Sequence, residues 1–290
     1  MLLLQLLING VALGAAYALV ALGFVLILNA TSAVNFAQGD LVMVGGFVSV
    51  AAAGLIPVPG IVLLPLVVIF MAVFGLGFSL LAYFPLKSRP TVSVFISTIA
   101  LGIVFQNGAN ALFGPEPRVA PPLITGGTLK LGEFIISRQS LSIIVVAAIL
   151  IAAQHLMFAK TQFGRRLRAT AQNRRMAQAV GIPVNWMIAA TFAMAAALAG
   201  AAGLLLANQH FVSPTEGSDL IIKAYIAVVI GGWGSVPGAV VGAMLIAMFE
   251  VILSAYISYP LATGLLYATL LAILFFRPQG LFGEILQKRA

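Results

Sequence analysis

AVNFAQGDLVMVGG, residues 33–46, decides how this chain is read. It sets Asn35, Gln38 and Asp40 close together around Gly39, between two long apolar runs. The run before it, 2–28, carries no charged residue over more than the ~20 residues a membrane helix needs. A lipid-facing helix would not open on two amides and a carboxylate. Two readings fit. In one, the cluster is a helix N-terminus at the membrane surface, with Asn35 capping and Asp40 at the positive end of the helix dipole. In the other, the helix is interrupted inside the bundle, where backbone lining a pathway is tolerated, and the polar groups face that pathway.

Composition sets the frame for both. The 290 residues are 62% hydrophobic and 8% charged, with mean hydropathy +1.13. A soluble domain carries about a quarter charged residues. The apolar runs are continuous rather than alternating, which excludes a β-barrel. The expected fold is all-α: a polytopic transmembrane helical bundle of about eight to nine spans with interrupted helices, forming a single domain over 1–290. The first run has no basic residues before its apolar core and is too long for a signal sequence, so a permanent span is expected. There is no cysteine, so thiolate chemistry and disulfides are excluded. The net charge of +8 would suggest nucleic acid in a soluble protein; here loop charge explains it, and no nucleic-acid partner is expected.

Nine apolar segments stand out, at 2–28, 40–56, 61–84, 92–113, 140–159, 184–207, 220–232, 237–256 and 260–276. Basic residues gather in three intervals: Lys87 and Arg89; Lys160, Arg165, Arg166, Arg168, Arg174 and Arg175; and Arg277, Lys288 and Arg289. Even numbers of segments separate these intervals, so all three belong on the cytoplasmic side, the C-terminus included. Three segments before Lys87 place the N-terminus outside, unless an early one is re-entrant. The loop 114–139 is then external, and GTLKLGEFIIS within it alternates as a small hairpin would.

Other polar groups inside the segments are candidates for a translocation path. In FQNGAN, Gln106 and Asn110 share a helix face, as do Asn107 and Asn110. They either hydrogen-bond between helices or line a path near its external mouth. Glu250 is an acid inside a late span and is a functional candidate by default, with Lys223 as a partner within reach. The path candidates are thus Asn35, Gln38, Asp40, Gln106, Asn110 and Glu250. Gly231, Gly232, Gly234, Gly238 and Gly242 mark close helix packing or a helix break, with the last three repeating every four residues. This second glycine-interrupted region mirrors the early one, and interrupted segments in two halves point to a transport site. No glycine-rich stretch carries the Lys and Ser/Thr of a phosphate-binding loop, and His155 and His210 have no clustered metal ligands. No metal, cofactor or catalytic group is expected on this chain.

The interval 160–183 has no acid anywhere near it: none occurs from 134 to 215. From Arg165 to Gly181 it reads as a helix on the membrane surface, ended by Pro183. Its arginines either mark topology and touch membrane lipid, or form a docking element for a cytosolic partner.

NGVALGAAYALVALGFVLIL, NFAQGDLVMVGGF, GRRLRATAQNRRMAQAVGI, GGWGSVPGAVVGAMLIAMFE and RPQGLFG occur in one order along nearly the whole chain. This set resembles the membrane permease subunits of ATP-driven branched-chain amino acid importers, the leucine/isoleucine/valine-type systems, and in particular the first of their two paired permeases. Gln38 stands where the family has histidine in Asn-Phe-Ala-His-Gly, and YFPLKSRP is a degenerate form of Tyr-Arg-Pro-Leu-Arg. The family also includes importers of urea and short amides. The resemblance implies a second permease subunit, two cytosolic ATPases that hold the ATP and Mg, and an external binding protein that delivers substrate. It implies a bacterial inner-membrane location and alternating access. It implies an ATPase-coupling role for Arg165, Arg166, Arg168, Arg174, Arg175, Ala177 and Gly181. A self-sufficient ion-coupled carrier using Glu250 is the competing reading.

Overall fold

A computed structural model describes residues 2–124, 127–131, 134–277 and 279–282. Lys288 and Arg289, counted above with the basic C-terminal interval, lie outside the described residues. All nine apolar segments are helices. In chain order the helices are α1 (Leu2–Thr31), α2 (Gln38–Leu55), α3 (Gly60–Ala82), α4 (Thr91–Phe113), α5 (Arg138–Lys160), α6 (Gln162–Gln172), α7 (Arg174–Ala179), α8 (Val184–Gln209), α9 (Glu216–Gly231), α10 (Val236–Tyr256) and α11 (Tyr259–Phe276). Among the described residues, eight are long and apolar enough to cross a membrane: α1–α5, α8, α10 and α11. The expected hairpin is present as antiparallel strands β1 (Thr128–Leu131) and β2 (Phe134–Ser137), paired Thr128 to Ser137.

α1 is apolar all round, as a core helix must be, and 94% of its most apolar 18-residue stretch is buried. It packs mainly against α10, α8 and α5. α8 is the second buried post, holding α2 and α3. α4 and α11 lie at the periphery, with only 17% and 11% of their spans buried. In a bilayer their outer faces meet lipid or another subunit.

The three basic intervals share one face of the bundle. Arg174 Nη1 donates to the Tyr83 hydroxyl at the end of α3 (3.2 Å), just before Lys87. Leu281 and Phe282, beyond Arg277, donate their amides to the Ile230 and Gly231 carbonyls at the end of α9. The Asn29 amide at the end of α1 donates to the Gly234 carbonyl beside them (2.9 Å). The opposite face carries the start of α1, where Ser140 Oγ donates to Asn9 Oδ1 (3.0 Å), and the segments around Arg118 and Val212, which form a β-bridge. α9, with 16 residues, is about 24 Å long, short of the ~30 Å hydrocarbon core. It still returns the chain to the basic face, because the 210–215 segment has already dipped into the bundle.

Two expectations are corrected. The basic interval is not one helix. It breaks at Asn173, whose side chain accepts the Met176 amide and caps α7, so the chain turns between two short helices. Gly181 then adopts φ +81° and redirects the chain into α8, with Pro183 at its N-cap. Gly234 is not on a helix stripe with Gly238 and Gly242. It lies in the turn before α10, at φ +79°. Gly238 and Gly242 do face α9: a β-carbon at Gly238 would collide with the Gly231 carbonyl, and one at Gly242 with the Ala227 carbonyl.

Candidate functional site

α1 ends at Thr31, near the basic face, and Ser32 takes a left-handed conformation (φ +57°) that reverses the chain. The 32–37 segment then climbs back into the bundle, and α2 starts at depth. Gln38 Nε2 donates to the Ala195 carbonyl (3.2 Å), near the middle of the 26-residue α8. The Phe36 amide donates to Thr98 Oγ1 (3.1 Å) on α4. Asn35 Oδ1 accepts the Ala37 amide (3.1 Å), and its Nδ2 donates to Gln38 Oε1 (3.3 Å). Asn35 and Gln38 are fully buried. They shape the interrupted entry and tie it to α8; in this structure they do not line open space.

α9 begins at the same level. A β-carbon at Gly39 would strike the Gly217 carbonyl, so the first turns of α2 and α9 cross backbone to backbone, and only glycine fits on both sides. Asp40 lies at the crossing, against Gly217 and against Gly102 of α4. Gln106 Nε2 donates to Asp40 Oδ1 (2.8 Å) and to Ser218 Oγ (3.1 Å). Two helices thus start inside the bundle and run to opposite faces, their positive ends converging beside Asp40, Gln106 and Ser218. Gln106 is half-buried; Ser218, Asn107 and Asn110 are exposed on the outward side of α4 and α9. Asn107 Nδ2 donates to its own helix, at the Ile103 carbonyl (2.8 Å).

Glu250 is not part of this cluster. It lies across α9, where its Oε1 pairs with Lys223 Nζ at 2.6 Å. Tyr17 on α1 closes the group: its hydroxyl accepts from Lys223 Nζ (3.0 Å) and donates to Glu250 Oε2 (3.2 Å). Tyr259 accepts a further, longer bond from Lys223 (3.4 Å). Lys223 and Glu250 are each 5% exposed, so each charge is matched where hydration is lost. The group borders a cavity of about 390 Å³ that also meets His210, Glu216 and Asp219.

The arginines occupy the basic face. Arg165, Arg166 and Arg168 project from α6, and Arg174 and Arg175 from α7. Leu167, Thr170 and Ala177 turn inward and are buried, anchoring both helices beneath the charge. Thr161 caps α6 by accepting the Gly164 amide (3.0 Å).

Ser218, Thr98, Tyr17 and Tyr259 were not legible as partners. Tyr17 looks like one more large residue in an apolar helix; its only signal is a hydroxyl that must find a partner once buried.

Comparison with known proteins gives a consistent picture. The family model described as branched-chain amino acid transport system / permease component matches residues 6–274. The chain is 31% identical to the high-affinity branched-chain amino acid transport system permease protein BraD of Pseudomonas aeruginosa, over 97% of this chain and 96% of the relative. It is 30% identical to LivH of Escherichia coli K12, a permease protein of the same description, over the same shares. A shorter match, 35% identical, reaches the autoinducer 2 import system permease protein LsrC of Yersinia enterocolitica, over 36% of this chain and 31% of the relative. No solved structure matches.

Proposed function

The chain belongs to the family of branched-chain amino acid transport permeases, and from that premise we propose how it works. It pairs with a second permease in a bacterial cytoplasmic membrane and takes branched-chain or related amino acids from an external binding protein. ATP, with Mg, is hydrolysed on two cytosolic ATPases that dock on the basic face. The observation that carries this reading is the pair of interrupted helices, α2 and α9, whose starts meet beside Asp40, Gln106 and Ser218.

The path runs along the outward side of this crossing, between α4 and α9. Gln106, Ser218 and Asn110 stand at the edge of the bundle, where lipid could not meet the hydrogen-bonding capacity that the Gln106 bonds to Asp40 and Ser218 leave over. A second subunit across from them encloses a polar channel. Asn35 and Gln38 hold the entry turn rather than meet substrate. α6 and α7 are the coupling element, with Arg165, Arg166 and Arg175 facing the ATPases, Arg168 and Arg174 tying the two helices to the ends of α5 and α3, Ala177 packed beneath and Gly181 as the turn into α8. Movement there reaches the crossing through α8, since Ala195 on that helix holds Gln38. Glu250, the group an ion-coupled carrier would use, is neutralised by Lys223, which favours the ATP-driven reading.

The test is reconstitution in liposomes. The chain with its partner permease, ATPases and binding protein should take up amino acid only when ATP is supplied. Uptake by the chain alone under an ion gradient would overturn the reading.

A further inference from the structure

We propose that the groove between α1, α5 and α10 binds one acyl chain of an anionic glycerophospholipid, with Arg168 holding its phosphate. The groove has a volume of about 760 Å³. Its walls are mostly apolar, among them Leu22, Ala148, Ala152, Val240 and Met244, with the buried Gln154 as a polar exception near the His155 end. Ala148 and Ala152 lie one turn apart on the same side of α5, and both are exposed. Their small side chains open a slot along the helix. α5 lines the groove from Ile144 to Ala159, about 22 Å along the helix, which is the length scale of an extended acyl chain.

The ends of the groove differ. The inner end is wholly apolar. At the outer end, on the basic face, the lining changes to His155 and Arg168. A second pocket of about 190 Å³ shares Phe158, Arg168 and Val236 with the first and continues to Asn29 at the end of α1. One Arg168 Nη donates to the Phe158 carbonyl, which fixes the guanidinium over the groove mouth. Arg168 is an exposed residue, so N–H groups beyond that bond can meet a phosphate. Arg165 stands one turn away on the same side of α6. No acid in 134–215 competes for either. An apolar slot under a cationic mouth matches an acyl chain with a head of net negative charge, whereas a zwitterionic head brings its own cation beside the same arginines. A lipid bound there would tether α6, the coupling element, to the membrane.

The experiment uses the intact permease assembly, stripped of lipid in mild detergent and titrated with dioleoyl phosphatidylglycerol or dioleoyl phosphatidylcholine. Retention is read by native mass spectrometry, independently of transport, so the outcome leaves the importer reading untouched. We expect phosphatidylglycerol to remain on this chain at concentrations where phosphatidylcholine does not. Ala152→Phe fills the slot and should abolish retention. Arg168→Gln should weaken it about fivefold, the effect of one arginine near an anionic head. Ala148→Leu is a smaller filler that gives the same reading if Ala152→Phe does not fold. Equal retention of both lipids, or undiminished phosphatidylglycerol on a folded groove-filling variant, would overturn the proposal.

Discussion

The two polar groups on either side of α9 are built to opposite plans. On one side, Lys223, Glu250 and Tyr17 are bonded to one another, with charge matched to charge, although the group borders a cavity. On the other, Asp40, Gln106 and Ser218 are joined by single bonds, and their cluster opens outward along α4. The first plan suits a fixed brace between α1, α9 and α10. The second suits groups that must exchange partners as something passes. A charge inside a membrane span therefore says less about function than how completely it is matched.

This contrast can be broken by mutation. The largest stability effect belongs to the brace. Glu250→Leu leaves Lys223 buried without a counter-charge and should cost about 3–5 kcal/mol, read as a sharp loss of folded protein in a thermal or detergent challenge. Adding Lys223→Met should restore most of it, since an apolar pair of similar volume is close to neutral. If Glu250→Leu alone is tolerated and uptake fails instead, the brace is a transport group and the contrast collapses. Next comes the crossing itself. Gly39→Val inserts a side chain where the Gly217 carbonyl already sits, so about 1–3 kcal/mol should be lost through overpacking, along with uptake.

The open cluster should show the reverse balance. Gln106→Ala removes two interhelical contacts, each worth about 1 kcal/mol or less, yet uptake should fall about tenfold or more, measured with radiolabelled amino acid in reconstituted vesicles. Unchanged uptake with normal assembly would remove the cluster from the path. The smallest effect is expected at Asn107, whose amide serves its own helix: Asn107→Ala should stay within about 0.5 kcal/mol and transport normally. Coupling sharpens the picture from the other end. Arg174→Glu with Arg175→Glu should leave the fold intact but separate ATP hydrolysis from uptake, read as continued hydrolysis without transport.

Much of this was legible in the residues alone. Long uncharged runs can only be satisfied as membrane helices, so the bundle and its nine segments follow from hydropathy and backbone hydrogen bonding. The three basic intervals fixed a common face through charge, and the amides and glycines of 33–46 marked an interrupted helix. The tertiary structure decided what no spacing encodes. Gly39 and Gly217 are 178 positions apart, and only packing shows that their backbones touch. Gln106 faces Asp40 because α4 lies beside the crossing, while its neighbour Asn107 turns to its own backbone. Lys223 was legible as a possible partner of Glu250, but only the packing of α9 against α10 and α1 shows that the pair is made and that Tyr17 closes it. Helix formation is a local matter of the chain and its solvent, whereas the pairing of buried polar groups depends on which helix faces are brought together.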